Sequence, residues 1–182
     1  TETTILRAHL GEIAASIGER ALLVEPGSGS STKTRLLLDA LPTLSGYVPV
    51  DISGKHLDQA VTRLTTAYPW LEILPVCADF TAGFPLPMPT RRTPSRVVLF
   101  FPGSTIGNFE ARDALRLLAM LREVAGRGGG LLVGVDLVKS PEIIERAYND
   151  SAGVTARFNL NLLEHLNREF GGDFDPAAFR HR

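Results

Sequence analysis

Glu25-Pro26-Gly27-Ser28-Gly29-Ser30-Ser31-Thr32-Lys33-Thr34 is the stretch whose residue types could do chemistry. It follows an apolar run and leads into Leu36, Leu37 and Leu41, spaced as on a helix that stops before Pro42. Gly27 and Gly29 carry no side chain, so backbone N–H groups can approach a ligand closely while the small hydroxyl residues open a helix aimed at the same spot. A nucleotide-like ligand is the expectation. Asp51 ends a second apolar run, past the glycines by about the ~20 residues at which an acid accepts hydrogen bonds from ribose hydroxyls. Asp79-Phe80 ends a third, where a carboxylate can take an exocyclic adenine N–H and the neighbouring ring can cover the base. Any one of these acids alone reads as a cap or a surface charge. At successive strand ends they read as a site.

Three readings compete for the glycine turn. A phosphate-binding loop needs G-x-x-x-x-G-K-[ST]; Gly27 and Lys33-Thr34 fit, but Thr32 stands where the second glycine belongs. In that reading Leu131 to Asp136 would serve as the acid-ended partner strand, which does not restore the missing glycine. A dinucleotide fingerprint needs a third glycine, and Thr32 stands there too. The third reading is the E-x-G-x-G turn of S-adenosylmethionine (SAM) methyltransferases, whose ligand is a cationic sulfonium with an amino acid end. Glu25 suits such a cation and would repel a pyrophosphate.

The elements that must position these residues follow from periodicity. Apolar residues at Ile5, Leu6, Leu10, Ile13, Ala14 and Ile17 predict an amphipathic leading helix over 3–17, ended by Gly18. Strands are expected at Ala21 to Glu25, Tyr47 to Asp51, Leu71 to Ala78, Arg96 to Phe101 and Leu131 to Asp136. Pro75 marks the third as bent or near an edge. The fourth and fifth are continuous apolar runs of the kind buried on both faces of a parallel sheet. Ser53 is expected to cap a helix from about Gly54 to Tyr68. Thr81 to Pro94 is a proline-rich loop, and Gly103 to Asn108 a turn. Glu110 to Ala125 is expected to be a helix with Leu115, Leu118 and Leu121 on one face. Pro141 to Tyr148 and Val154 to Phe170 read as helices, the second ended by Gly171-Gly172. Strands alternating with helices predict an α/β fold with a doubly wound, mostly parallel sheet of about five strands.

Composition bounds the partners. A length of 182 residues fits one domain, 1–182, with a real core. A net charge of −1 with interspersed signs gives no electrostatic argument for nucleic acid or membrane. Cys77 is the only cysteine, lies in an apolar run and is expected to be buried. No cysteine-histidine cluster has zinc spacing, so no metal is expected. The lack of a signal-peptide pattern and the lone cysteine give a cytoplasmic setting as the default. His9, His56, His165 and His181 show no catalytic spacing.

The turn around Glu25, Tyr47 to Ser53, Gly103-Ser104-Thr105-Ile106-Gly107-Asn108-Phe109 and Asp136-Leu137-Val138-Lys139 together resemble the histidine-specific SAM-dependent methyltransferase family. Ala147 to Thr155, Phe158-Asn159 and Asn167-Arg168-Glu169 continue the likeness, which runs from the leading helix to about Phe179. The stretch around Gly103 is much more specific than the glycine turn. The resemblance implies a Rossmann-like fold and methyl transfer from SAM to the α-amine of L-histidine, as in ergothioneine biosynthesis. It implies that Gly27 and Lys33 hold SAM together with Glu25, Ser28 and Gly29, that Asp51 binds the ribose, and that Asp79 with Phe80 contacts the adenine. Asn108 and Tyr148 match residues that hold the amino and carboxylate end of the histidine substrate at the reacting centre, and Gly103 is expected to bind the substrate with them. Ser104 and Thr105 are expected to satisfy turn backbone. The family continues past this point with further strands and residues that grip the imidazole, so the chain is expected to be a fragment with most of the SAM site and half of the substrate site. Two alternatives stay open: a methyltransferase for another small amine or amino acid, and a SAM-binding or interaction module without catalysis.

Overall fold

The computed structural model describes residues 1–29 and 32–181; Ser30 and Ser31, expected to open the helix after the glycine turn, lie outside the described residues. The elements run in the order α1 (Glu2–Ala8), α2 (Leu10–Ile17), β1 (Ala21–Pro26), α3 (Thr32–Ala40), β2 (Gly46–Asp51), α4 (Gly54–Ala67), β3 (Val76–Cys77), β4 (Arg96–Phe101), α5 (Ala111–Ala125), β5 (Gly130–Val133), α6 (Pro141–Tyr148) and α7 (Val154–Phe170). The chain divides into two compact units, Thr1–Asp136 and Leu137–Arg182.

The first unit is a five-stranded sheet in the order β3-β2-β1-β4-β5, with every described pairing parallel. This is the doubly wound arrangement expected, with its switch point between β1 and β4. Alternation along the strands sends Ala21, Leu23, Val98 and Phe100 to one face and Leu22, Val24, Leu99 and Phe101 to the other, and both faces are covered. Leu37, Leu38, Leu41 and Leu64 fill the first face; Leu117 and Leu121 of α5 fill the second. All of β1 is buried, which is why its sequence reads as one apolar run.

Several boundaries differ from expectation. The leading helix is broken at His9, whose ψ of 16° is not helical, so α1 and α2 are separate. The third strand shrinks to Val76–Cys77, with a lone bridge from Tyr47 to Ile73 upstream. On the β3 side of β2, the Tyr47 N–H donates to the Glu72 carbonyl and the Tyr47 carbonyl accepts from Leu74. Two residues on, Pro49 faces the same side with no N–H to give, opposite Pro75, so continuous pairing is impossible there. Cys77 consequently sits on an edge strand and is exposed, not buried. β5 ends at Val133, and Leu131 is 40% exposed, because among the described residues β5 pairs with β4 alone. In α5 the buried residues are Leu117 and Leu121, whereas Leu115 points to solvent. Ser53 stands at the N-cap of α4 but its side chain makes no capping bond.

The second unit holds α6 and α7, joined by a turn that Asp150 organises. Its carboxylate accepts the N–H groups of Val154 and Thr155, each at 2.9 Å, and these donors pull its pKa down to about 2. Beyond Gly171, in the left-handed conformation, the Asn167 side chain bonds both the N–H and the carbonyl of Phe174. No described helix is long and apolar enough to cross a membrane.

Candidate functional site

The carboxyl ends of β1, β2 and β4 carry the expected residues, and the sheet register brings several of them together. β1 ends in Gly27, whose φ of +70° lies in the left-handed region that favours glycine. The Gly27 and Ser28 N–H groups both donate to the Val50 carbonyl of β2, which folds the turn back over the neighbouring strand. A methyl group on Gly27 would stand 3.4 Å from the Phe80 ring, so that ring lies directly against the turn. Phe80 is held there edge-on to Phe101 of β4, at 5.7 Å between ring centres.

Asp51 ends β2 with one carboxylate oxygen accepting the Gly29 N–H at 3.0 Å and the other accepting the Ser53 N–H at 2.9 Å. Each oxygen keeps a lone pair directed elsewhere, which is what ribose hydroxyls require of an acceptor. Asp79 is exposed and caps the helical turn Phe80–Ala82, accepting from the N–H and hydroxyl of Thr81. Those bonds, the hydroxyl's foremost, hold its pKa below the usual carboxylate range. Both fall on Oδ1, so Oδ2 faces outward without a bond to any described residue.

Glu25 lies beneath the turn. It is 3% exposed, and the same carboxylate oxygen accepts the hydroxyls of Thr34 and Tyr47. Burial pushes its pKa up to about 7, against the opposing pull of those hydroxyls and of Lys33. An acid so placed ties α3 to β1 and β2 beneath the turn. Thr34 and Tyr47 are therefore parts of the site that sequence reasoning misses. Their only signal is a hydroxyl in the first turn after the glycines and a phenol in a strand with no other polar side chain before Asp51.

On the β4 side, Gly103 (φ +84°) and Ser104 (φ 56°) turn the chain through successive left-handed residues into the helical turn Thr105–Asn108. The Thr105 hydroxyl donates to the Pro102 carbonyl at 3.2 Å and so serves turn backbone as expected, whereas Ser104 Oγ accepts the N–H of Asp136, beyond the end of β5, at 3.0 Å. Asn108 is exposed at the end of that turn; the N-cap of α5 is Glu110, so the Asn108 amide is not spent on capping. Lys33 reaches across from α3, its ammonium 3.4 Å from where a Gly103 methyl would stand. A cleft of about 490 Å³ opens here, lined by Glu2, Lys33, Gly103, Ser104 and Asp136 among others. Tyr148 ends α6 in the second unit, 67% exposed, with its carbonyl accepting from His181. No cluster of metal-ligating side chains occurs among the described residues.

A parallel doubly wound sheet with a glycine turn at its switch point and an acid at the next strand end defines the Rossmann-like class that binds nucleoside cofactors. The solved mitomycin 7-O-methyltransferase MmcR shares this fold, with a TM-score of 0.53 and 20% identity over 77% of this chain and 40% of that one. Within the class the sequence is more specific: the chain belongs to the family of histidine-specific, SAM-dependent methyltransferases, whose profile matches residues 1–182. It is 42% identical to the histidine N-alpha-methyltransferase of Mycolicibacterium smegmatis over 185 residues, covering 100% of this chain and 56% of that protein. It is 32% identical to ergothioneine biosynthesis protein 1 of Neurospora crassa, covering 93% of this chain and 20% of that protein. The chain thus spans about half, or less, of the length of these relatives.

Proposed function

We propose that residues 1–182 form part of a methyltransferase domain that binds SAM at the ends of β1 and β2 and transfers its methyl group to the α-amine of L-histidine. The observation that carries this reading is the Asp51 carboxylate bonded to the Gly29 N–H, which joins an acid suited to ribose hydroxyls to the glycine turn. The remaining contacts fit the same cofactor. The Phe80 ring beside Gly27 offers a face to adenine. The buried Ser28 hydroxyl has no partner among the described residues, which suits a turn that gains one from a ligand. Lys33 offers a cation to a carboxylate.

SAM supplies an electrophilic methyl group on a sulfonium. The chain's residues supply position: Asp51 and Phe80 fix the nucleoside, and Asn108 offers both donor and acceptor to the amino acid end of the substrate. Tyr148 is assigned a substrate role by the resemblance, its phenol suited to orienting either charged end. The amine must be neutral to attack, so it first gives up its proton to water, and no residue of the chain is assigned as general base. Holding amine and methyl in line supplies proximity, worth up to ~7–11 kcal/mol in well-oriented reactions. Histidine is a small-molecule partner, and the exposed, unbridged thiol of Cys77 suits the reducing cytoplasm.

Calorimetric titration with S-adenosylhomocysteine tests the reading. Micromolar binding is expected, with Asp51→Ala weakening it at least ~10-fold through loss of charge-assisted hydrogen bonds. Absence of binding to a folded chain would overturn the cofactor assignment. L-histidine added to the saturated protein then tests the substrate.

A further inference from the structure

The cleft beside Gly103 already contains a carboxylate. Both oxygens of Glu2 accept the Gly103 N–H, at 2.8 and 3.0 Å, and the Lys33 ammonium forms an ion pair with the same group. The backbone is shaped to admit it: a Cβ on Gly134 would overlap Glu2 Oε1. Burial acts to raise the Glu2 pKa, but Lys33 and the Gly103 N–H overcome it, so the group stays ionised and seated. Together a cation, a backbone N–H and a glycine that clears the space make a binding seat for one carboxylate.

Glu2 is an odd tenant for such a seat. It reaches in from α1, a helix with Leu6 as its only buried residue, so the side chain can leave without disturbing the sheet. Lys33 is the residue that the proposed function turns toward a carboxylate, Gly103 is placed by the resemblance beside the substrate residues, and cofactor and substrate both end in an α-amino acid carboxylate. Two carboxylates cannot share the seat, because like charges about 4 Å apart repel.

We infer that Lys33 Nζ and the Gly103 N–H form a seat for the α-carboxylate of an amino-acid-bearing ligand, and that Glu2 is its internal occupant, which the ligand must displace. This rests on the function proposed above. Glu2 thereby lowers apparent affinity by the fraction of molecules in which it fills the seat. It also discriminates, since a ligand without a carboxylate gains nothing from displacing it.

The test compares ligands with and without that group. S-adenosylhomocysteine is paired with 5′-methylthioadenosine, and L-histidine with histamine, each titrated against the chain and its Glu2→Gln variant. The substitution keeps the length of the side chain but removes the charge that competes for Lys33. Glu2→Gln is expected to tighten binding of one carboxylate ligand roughly three- to tenfold and leave its decarboxylated or truncated counterpart unchanged. The pair that responds identifies whether cofactor or substrate uses the seat. In a Lys33→Gln background the gain should vanish, because the two effects act through one contact. Weaker or unchanged binding of both carboxylate ligands in Glu2→Gln overturns the inference, while unimpaired methylthioadenosine binding leaves the cofactor site standing. Failure of both nucleosides to bind the folded chain overturns the cofactor reading, and the seat is then upheld or overturned by the L-histidine and histamine pair alone.

Discussion

The two banks of the strand-end cleft are built on different principles. On the β1–β2 bank, polar groups are interred: Glu25, Thr34 and Tyr47 are almost wholly buried and bonded to each other beneath the turn. On the β4 bank the polar groups are more open to solvent, and Ser104 and Thr105 are each held by a single bond within or beside the turn. A buried network of this kind costs stability when one member is lost and so fixes the turn's geometry. The open bank can exchange partners at little cost. Under the proposed function, the first would hold the nucleoside and the second the amino acid that enters, reacts and leaves.

Stability measurements sharpen the contrast. Tyr47→Ala, which empties a fully buried ring position, should cost about 3–5 kcal/mol in urea unfolding. Tyr47→Phe, which removes one hydroxyl from Glu25, should cost about 1–3 kcal/mol. A pH series isolates the acid. Native Glu25 keeps its proton up to about pH 7, whereas the unfolded chain releases it near 4.5. The native state therefore binds more protons across that interval, and this group's contribution falls as pH rises through it. Wild type minus Glu25→Gln should show that decline between pH 4.5 and 7; a difference rising with pH would reverse the assignment. On the other bank, Asn108→Ala should leave stability unchanged within about 0.5 kcal/mol while weakening L-histidine binding. A large loss of stability there would erase the distinction between the banks.

These differences also mark what a sequence discloses. β4 is legible to the residue because its alternate side chains face packed layers on both sides of the sheet. The pairing of the glycine turn with Asp51 is legible because it depends on residue type and on a spacing within one β-α-β unit. Glu25 is legible as an acid at a strand end, but the direction it faces depends on Tyr47, brought beside it by strand pairing. β3 is overestimated when Pro75 is weighed alone; its effect doubles when Pro49 stands on the facing strand. Leu115 and Leu117 show the same limit, since an amphipathic pattern allows a small rotation that only the opposing layer decides. Glu2 gives no signal at all. Its partner Gly103 lies 101 positions along the chain, and nothing local distinguishes it from any acid in the first turn of a helix.

Cys77, left exposed by the shortened edge strand, gives the molecule a chemical address. In the parallel register it stands opposite Asp51, and its thiol lies 3.7 Å from the Ile52 carbonyl. With no second cysteine in the sequence to compete, a thiol-reactive fluorophore would attach at one place, beside the proposed ribose site, and its brightness would follow the filling and emptying of that site in real time.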